Sequence, residues 1–222
     1  MTKLFMIILL ICFTFNVHSQ TSQDINDLLL AATNGDTVVV NQLVVYKKIS
    51  VNSVGNNSET PLMMAARKGR VDTMIKLLQL GAIVDAKDKN GETALMYAAN
   101  NCHTKAIEKL NEYRTNVNAE DNSKKTALIH AAKNGCSDTV RKLKQLGSYI
   151  DHQDNEGWTA FFYAAINGHT DTVKLLKELG ANVNIQDKYR RTALDYVKSK
   201  SNEDSKAMAS ELTKLGATTS RL

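Results

Sequence analysis

The chain is short of the features that mark several protein classes. Of its 222 residues, one is proline, one is tryptophan and three are cysteine. No stretch carries five like charges in a row, so there is no basic arm. A G-x-S-x-G elbow, an H-E-x-x-H helix and a phosphate-cradling glycine loop are all missing. Those gaps remove the motifs by which the sharpest enzyme classes are read. The longest apolar run covers residues 4–15, broken only by Thr14, and its 12 residues fall short of the roughly 20 that cross a hydrocarbon core.

That run lies in "MTKLFMIILLICFTFNVHSQ", behind the single charge of Lys3 and ahead of Val17, His18 and Ser19. The arrangement reads as a secretory signal peptide over residues 1–19, cleaved after Ser19. A lipoprotein anchor at Cys12 is disfavoured, because Ile11 stands where a small residue is wanted. Loss of Lys3 takes the net charge from +5 to +4, a mild balance that does not by itself point to nucleic acid. Two cysteines then remain, Cys102 and Cys136. An exported chain meets oxidising conditions, which permit a disulfide, but two cysteines are not a disulfide framework.

What the sequence does have is a period. "TPLMMAA" from Thr60, "TALMYAA" from Thr93, "TALIHAA" from Thr126, "TAFFYAA" from Thr159 and "TALDYVK" from Thr192 start 33 residues apart. Other columns keep the same step. Gly69, Gly135 and Gly168 form one, and Gly81, Gly147 and Gly180 a second. Asp85, Asn118, Asp151 and Asn184 form a third, and Asp88, Asp121, Asp154 and Asp187 a fourth. Each unit reads as a threonine N-cap, a short alanine-rich helix, a glycine stop, a second helix and a closing glycine. In the second helix Val71, Met74, Ile75, Leu77 and Leu78 recur at helical spacing. One such pair cannot bury its own apolar face, so the units must stack into a solenoid.

These residues resemble ankyrin repeats, most closely in "DNEGWTAFFYAAINGHTDTVKLLKELGANVN" and "DKNGETALMYAA". The resemblance implies an all-α solenoid of six repeats, each two antiparallel helices and a projecting β-turn, over residues 20–222. The units are placed at 24–54, 55–87, 88–120, 121–153, 154–186 and 187–219, the outer two as caps. The chain also departs from the family pattern. Only Pro61 keeps the proline of T-P-L, and Met63, Met96, Ile129, Phe162 and Asp195 replace the histidine that follows it. Apolar contact must mostly replace that histidine's hydrogen bonds. In the third repeat Cys102 and Arg114 stand in glycine columns. If those backbones are left-handed, each costs on the order of 1 kcal/mol, and Cys102→Gly is expected to raise the melting temperature.

Catalytic residues, cofactors and metals are not expected. The four-aspartate column should bond its own turns. His103, Cys136 and His169 share a column, and Cys102 adjoins it. Stacked helices about 10 Å apart argue against both an ion shared along that column and an unstrained Cys102–Cys136 bridge. The sequence still leaves open whether those cysteines pair or bind metal.

Function falls to the surface. In the resembled family partners dock on the concave side, made of turn tips and the first helices. The positions that map there are Lys89, Asn90, Glu92, Lys125, Asn155, Glu156, Trp158, Tyr189 and Arg191 on the tips, with Asn100, Asn101, Lys133, Asn134, Ile166 and Asn167 on the helix face. Trp158 draws notice because its counterparts are charged and aromatic residues dominate binding hot spots. The column Tyr97, His130, Tyr163 and Tyr196 is either a binding stripe or packing. The expected protein is a monomeric, non-enzymatic module that binds a partner protein, periplasmic or secreted, most readily from a bacterium. It has no nucleic-acid role and no stable membrane insertion after signal cleavage. The alternatives are an inhibitor, immunity or regulatory partner of an envelope enzyme, or a secreted host-directed effector.

Overall fold

Threonine opens the first helix of every repeat after the first, and its chemistry explains why. Thr60, Thr93, Thr159 and Thr192 hold extended backbones, and each hydroxyl accepts from the N–H three residues on, at 3.3–3.4 Å. Thr126 keeps the same backbone, but its buried hydroxyl makes no such bond. A computed structural model describes residues 21–220; the expected signal peptide lies outside the described residues.

The described residues form a right-through series of helix pairs and no strands. The first repeat has α1 (Ser22–Asn34) and α2 (Thr37–Asn41), with a π-helical extension over Gln42–Tyr46. The next four pairs are α3 (Pro61–Arg67) and α4 (Val71–Gln79), α5 (Ala94–Asn100) and α6 (Thr104–Glu112), α7 (Ala127–Lys133) and α8 (Ser137–Gln145), and α9 (Ala160–Ile166) and α10 (Thr170–Glu178). The last pair is α11 (Ala193–Lys198) and α12 (Glu203–Lys214). First helices pack on first helices along the whole stack, and the second helices of the first five repeats do the same. This is the all-α solenoid that the period required. No helix among the described residues is long and apolar enough to cross a membrane.

The core follows the columns. The alanine pairs at 65–66, 98–99, 131–132 and 164–165 are buried, and their small side chains let neighbouring first helices close up. Met74, Ile107, Val140 and Val173 fill one position under the second helices, and Leu77, Leu110, Leu143 and Leu176 another. Met63, Met96, Ile129 and Phe162, which replace the family's histidine, are buried as apolar contacts. At the ends, α1 and α12 are the longest helices, while Leu30, Val38 and Tyr46 of the first repeat remain exposed.

Two expectations at the third repeat fare differently. The backbones at Cys102 and Arg114 are left-handed, with φ of 59° and 60°, as their glycine columns require. The distance argument against a cysteine bridge is overturned. Cys102 and Cys136 form a disulfide with their Cα atoms 5.1 Å apart. A 10 Å spacing describes helix axes, whereas these residues sit in the turns between helices and reach toward each other. The bridge also reverses the expected gain from Cys102→Gly, since that change now breaks a crosslink. It removes both cysteines from any metal site.

Candidate functional site

The turn tips are built on one aspartate each. Asp88 Oδ1 accepts from the N–H groups of Asn90 and Glu92 at 2.9 and 2.8 Å. Asp121 does the same for Ser123 and Lys125, Asp154 for Glu156 and Trp158, and Asp187 for Tyr189 and Arg191. This is the turn-bonding role expected of the column. Oδ2 has a second partner nine residues on. It accepts from Tyr97 Oη at 3.0 Å, Tyr163 Oη at 2.7 Å and Tyr196 Oη at 2.7 Å, and it meets His130 Nε2 at 3.1 Å. The aromatic column is therefore packing that braces each tip against its own first helix. Burial, together with the bond to its aspartate, pushes the phenols of Tyr97 and Tyr163 far above the ordinary range.

Neighbouring tips are tied to one another. Lys89 N–H donates to Asn57 O, Asn122 to Asn90 O, Asn155 to Ser123 O and Lys188 to Glu156 O, at 2.9–3.1 Å. Glycine is needed where successive tips come close together. A Cβ on Gly157 would lie 2.9 Å from the Lys188 nitrogen, at a φ of +81°. The Asp85 column forms a second tie: Asp85 accepts from Asn116 N–H, Asn118 from Tyr149 N–H, Asp151 from Asn182 N–H and Asn184 from Thr218 N–H. In the turns between helices, His103 Nε2 meets Arg67 O at 3.2 Å and His169 Nε2 meets Lys133 O at 3.0 Å. The His103 ring lies over Gly69 and that of His169 over Gly135. Cys102 and Cys136 occupy the corresponding positions at the junction between, so the disulfide stands where a glycine–histidine contact stands on either side.

The residues expected to bind a partner occupy two bands. Lys89, Asn90, Asn155, Glu156, Tyr189 and Arg191 are exposed on the tips, and Glu92 and Lys125 are half-buried. Asn100, Asn101, Lys133, Asn134 and Asn167 are exposed at the first-helix ends, with Ile166 half-buried. Several of the asparagines serve the stack itself. Asn134 donates to Asn100 Oδ1, Asn167 to Lys133 O, and Asn101 to Tyr97 O. Trp158 does not project. It is half-buried and stacks on Phe162 with ring centroids 4.6 Å apart, and its edges meet Tyr163 and Tyr196. Among the aromatic side chains of the turn tips, Tyr189 is the one that projects, 60% exposed, with the Arg191 guanidinium 4.8 Å from its ring.

One cluster was not legible as such. Glu92 reaches from the tip of the third repeat toward Asp121 and His130 of the fourth, and His130 Nε2 lies 3.6 Å from Glu92 Oε1. Burial pushes the Glu92 carboxyl above its usual value; His130 opposes this, and the charges of Asp88 and Asp121 add to it. Burial also works against ionisation of Asp121, but the bonds from His130 and from the Lys125 and Ser123 N–H groups outweigh it and hold that carboxyl low.

Comparison with known proteins agrees with this architecture. The family model described as ankyrin repeats in three copies matches residues 4–88, 28–121, 74–154 and 128–217. The chain belongs to the ankyrin-repeat family, and that makes it a protein-interaction module. Over 76 residues it is 37% identical to the poly [ADP-ribose] polymerase tankyrase of Caenorhabditis elegans. That likeness covers 33% of this chain and only 3% of the relative, so it concerns repeats and not a polymerase.

Proposed function

We propose that this is an exported, non-enzymatic binding protein that holds a partner protein along the concave side of its stack. The observation that carries the reading is the tip of the sixth repeat, where exposed Tyr189 is braced by Arg191. An exposed, orientationally restrained aromatic beside arginine is the composition of a binding hot spot. Lys89, Asn90 and Glu156 extend the same rim, and Lys133 lies on the helix side of it. Export is supported by the leader-like N-terminus and by the Cys102–Cys136 bridge, since disulfides persist mainly in oxidising compartments. We read the chain as a monomer, periplasmic or secreted.

The test is an affinity capture from an envelope extract and from culture medium, with wild type beside Tyr189→Ala. Tyr189 is exposed, so circular dichroism should match wild type. A protein retained by wild type and lost by the variant supports the reading. A protein retained equally by both removes the tip from the interface.

A further inference from the structure

The fourth repeat breaks the pattern of its neighbours at one position. Tyr97, Tyr163 and Tyr196 each place a phenol against the tip aspartate, and His130 alone places an imidazole there. The residue that the preceding tip sends toward this position varies along the stack. Across the next junction Lys125 sends its ammonium over the Tyr163 ring, and at the last one Trp158 meets the Tyr196 ring. At the His130 junction it is Glu92, a carboxylate like Glu59 before Tyr97, but here the carboxylate faces an imidazole. The fourth repeat thus joins a ring nitrogen and two carboxylates from two successive units.

We propose that His130 Nε2, Asp121 Oδ2 and Glu92 Oε1 form a binding site for a divalent transition-metal ion, with Zn²⁺ as its probe. The geometry is suited to a tetrahedral ion. Zinc bonds to nitrogen and oxygen are about 2.0–2.1 Å, which sets ligand-to-ligand edges of roughly 3.3 Å. Here His130 lies 3.1 Å from Asp121 and 3.6 Å from Glu92, and all three ligand atoms fall within 4.8 Å of one another. Two ligands are held in place beforehand. His130 is buried on α7, and Asp121 is fixed by two N–H groups on its other oxygen. Only Glu92, the more exposed member, has to adjust. Outer bonds of this kind orient metal-binding carboxylates. Lys125 is a nearby cation that opposes the ion, and its ammonium lies 5.5 Å from the centre of the Tyr163 ring. Three protein ligands leave the fourth position to water.

The test is Zn²⁺ titration of the purified, oxidised protein at neutral pH, read by calorimetry and by melting temperature. The comparison is His130→Tyr, which installs the phenol that three sister repeats carry and so preserves the bond to Asp121. A second variant is Glu92→Gln. The expected result is one equivalent of Zn²⁺ that raises the melting temperature of wild type. Binding should vanish in His130→Tyr and weaken on the order of tenfold in Glu92→Gln, because a neutral amide is a poorer ligand. Absence of binding to wild type overturns the proposal. Binding that survives unchanged in His130→Tyr also overturns it, because the ion then sits elsewhere.

Discussion

The ring of His103 lies so close to Gly69 that a Cβ built there would fall 2.7 Å from Nδ1, and His169 repeats the relationship with Gly135 at the same distance. Each histidine also reaches a carbonyl of the preceding repeat. Gly69→Ala should therefore cost more than its backbone strain. Gly180 is a natural comparison, since its φ is also positive, at +93°, but nothing stands within 4 Å of a Cβ. Gly180→Ala should cost about 1 kcal/mol, and Gly69→Ala about 2–3 kcal/mol as the ring is displaced and its bond lost. Denaturant unfolding of the two variants decides; equal losses would mean that the histidine contact holds little.

The disulfide sets two opposing terms at Cys102. A crosslink with a sequence separation of 34 contributes roughly 3–4 kcal/mol through the unfolded chain. The left-handed backbone costs about 1 kcal/mol. Cys102→Gly in the oxidised protein should thus lower stability by about 2–3 kcal/mol. In a Cys136→Ser background the same change should raise it by about 1 kcal/mol. A melt of the four proteins with and without reductant reads both terms, and a gain from Cys102→Gly in the oxidised wild type would refute the bridge.

Arg114 isolates the backbone effect, because its side chain is exposed and its φ is 60°. Arg114→Gly should raise stability by about 1 kcal/mol. A loss in thermal unfolding would show that the arginine side chain has a contact worth more than the strain.

Tyr163 and Asp154 are both buried, and their bond is 2.7 Å long. Tyr163→Phe keeps the ring and leaves Asp154 Oδ2 short of a donor. The expected cost is about 1–3 kcal/mol, the desolvation of one unsatisfied oxygen. Asp154→Asn paired with Tyr163→Phe should show strong coupling in a double-mutant cycle; additive losses would deny the bond its role.

Asp195 gives the pH dependence of the C-terminal cap. Burial opposes its ionisation, but N–H donors from Thr192 and Ser220 prevail and hold the carboxyl below its ordinary value of 3.8. A lowered carboxyl contributes stability that is complete above the unfolded value. That contribution disappears as pH falls from 3.8 through the folded value. The stability gap between wild type and Asp195→Asn should close over that acid window. A gap that stays constant from pH 6 to pH 3 would exclude the linkage.

The architecture was open to reading because it is periodic. Thr60, Thr93, Thr159 and Thr192 cap helices, and the Asp88 column bonds turns, for reasons local to each unit. Relations between units were harder. Trp158 sits in a column of charged tips, and only the structure places its ring against Tyr196 of the next unit. The disulfide was hidden by reasoning from axis spacing, although Gly69 with His103, Cys102 with Cys136, and Gly135 with His169 share one offset. The nine-residue step from each tip aspartate to Tyr97, His130, Tyr163 or Tyr196 was likewise present in the sequence. Its meaning needed the fold, which brings both ends of that step together.

The bridge between Cys102 and Cys136 also has a mechanical consequence. A linear stack pulled from its two ends unravels one unit at a time, each unit surrendering its length as it goes. Here the chain between the cysteines lies outside the path of the force. Roughly 115 Å of extended polypeptide, for a separation of 34 residues, cannot be drawn out until the sulfur link is cut. A pulling trace of the oxidised molecule should be shorter by about that amount than the trace after reduction, which turns a ruler into a redox assay.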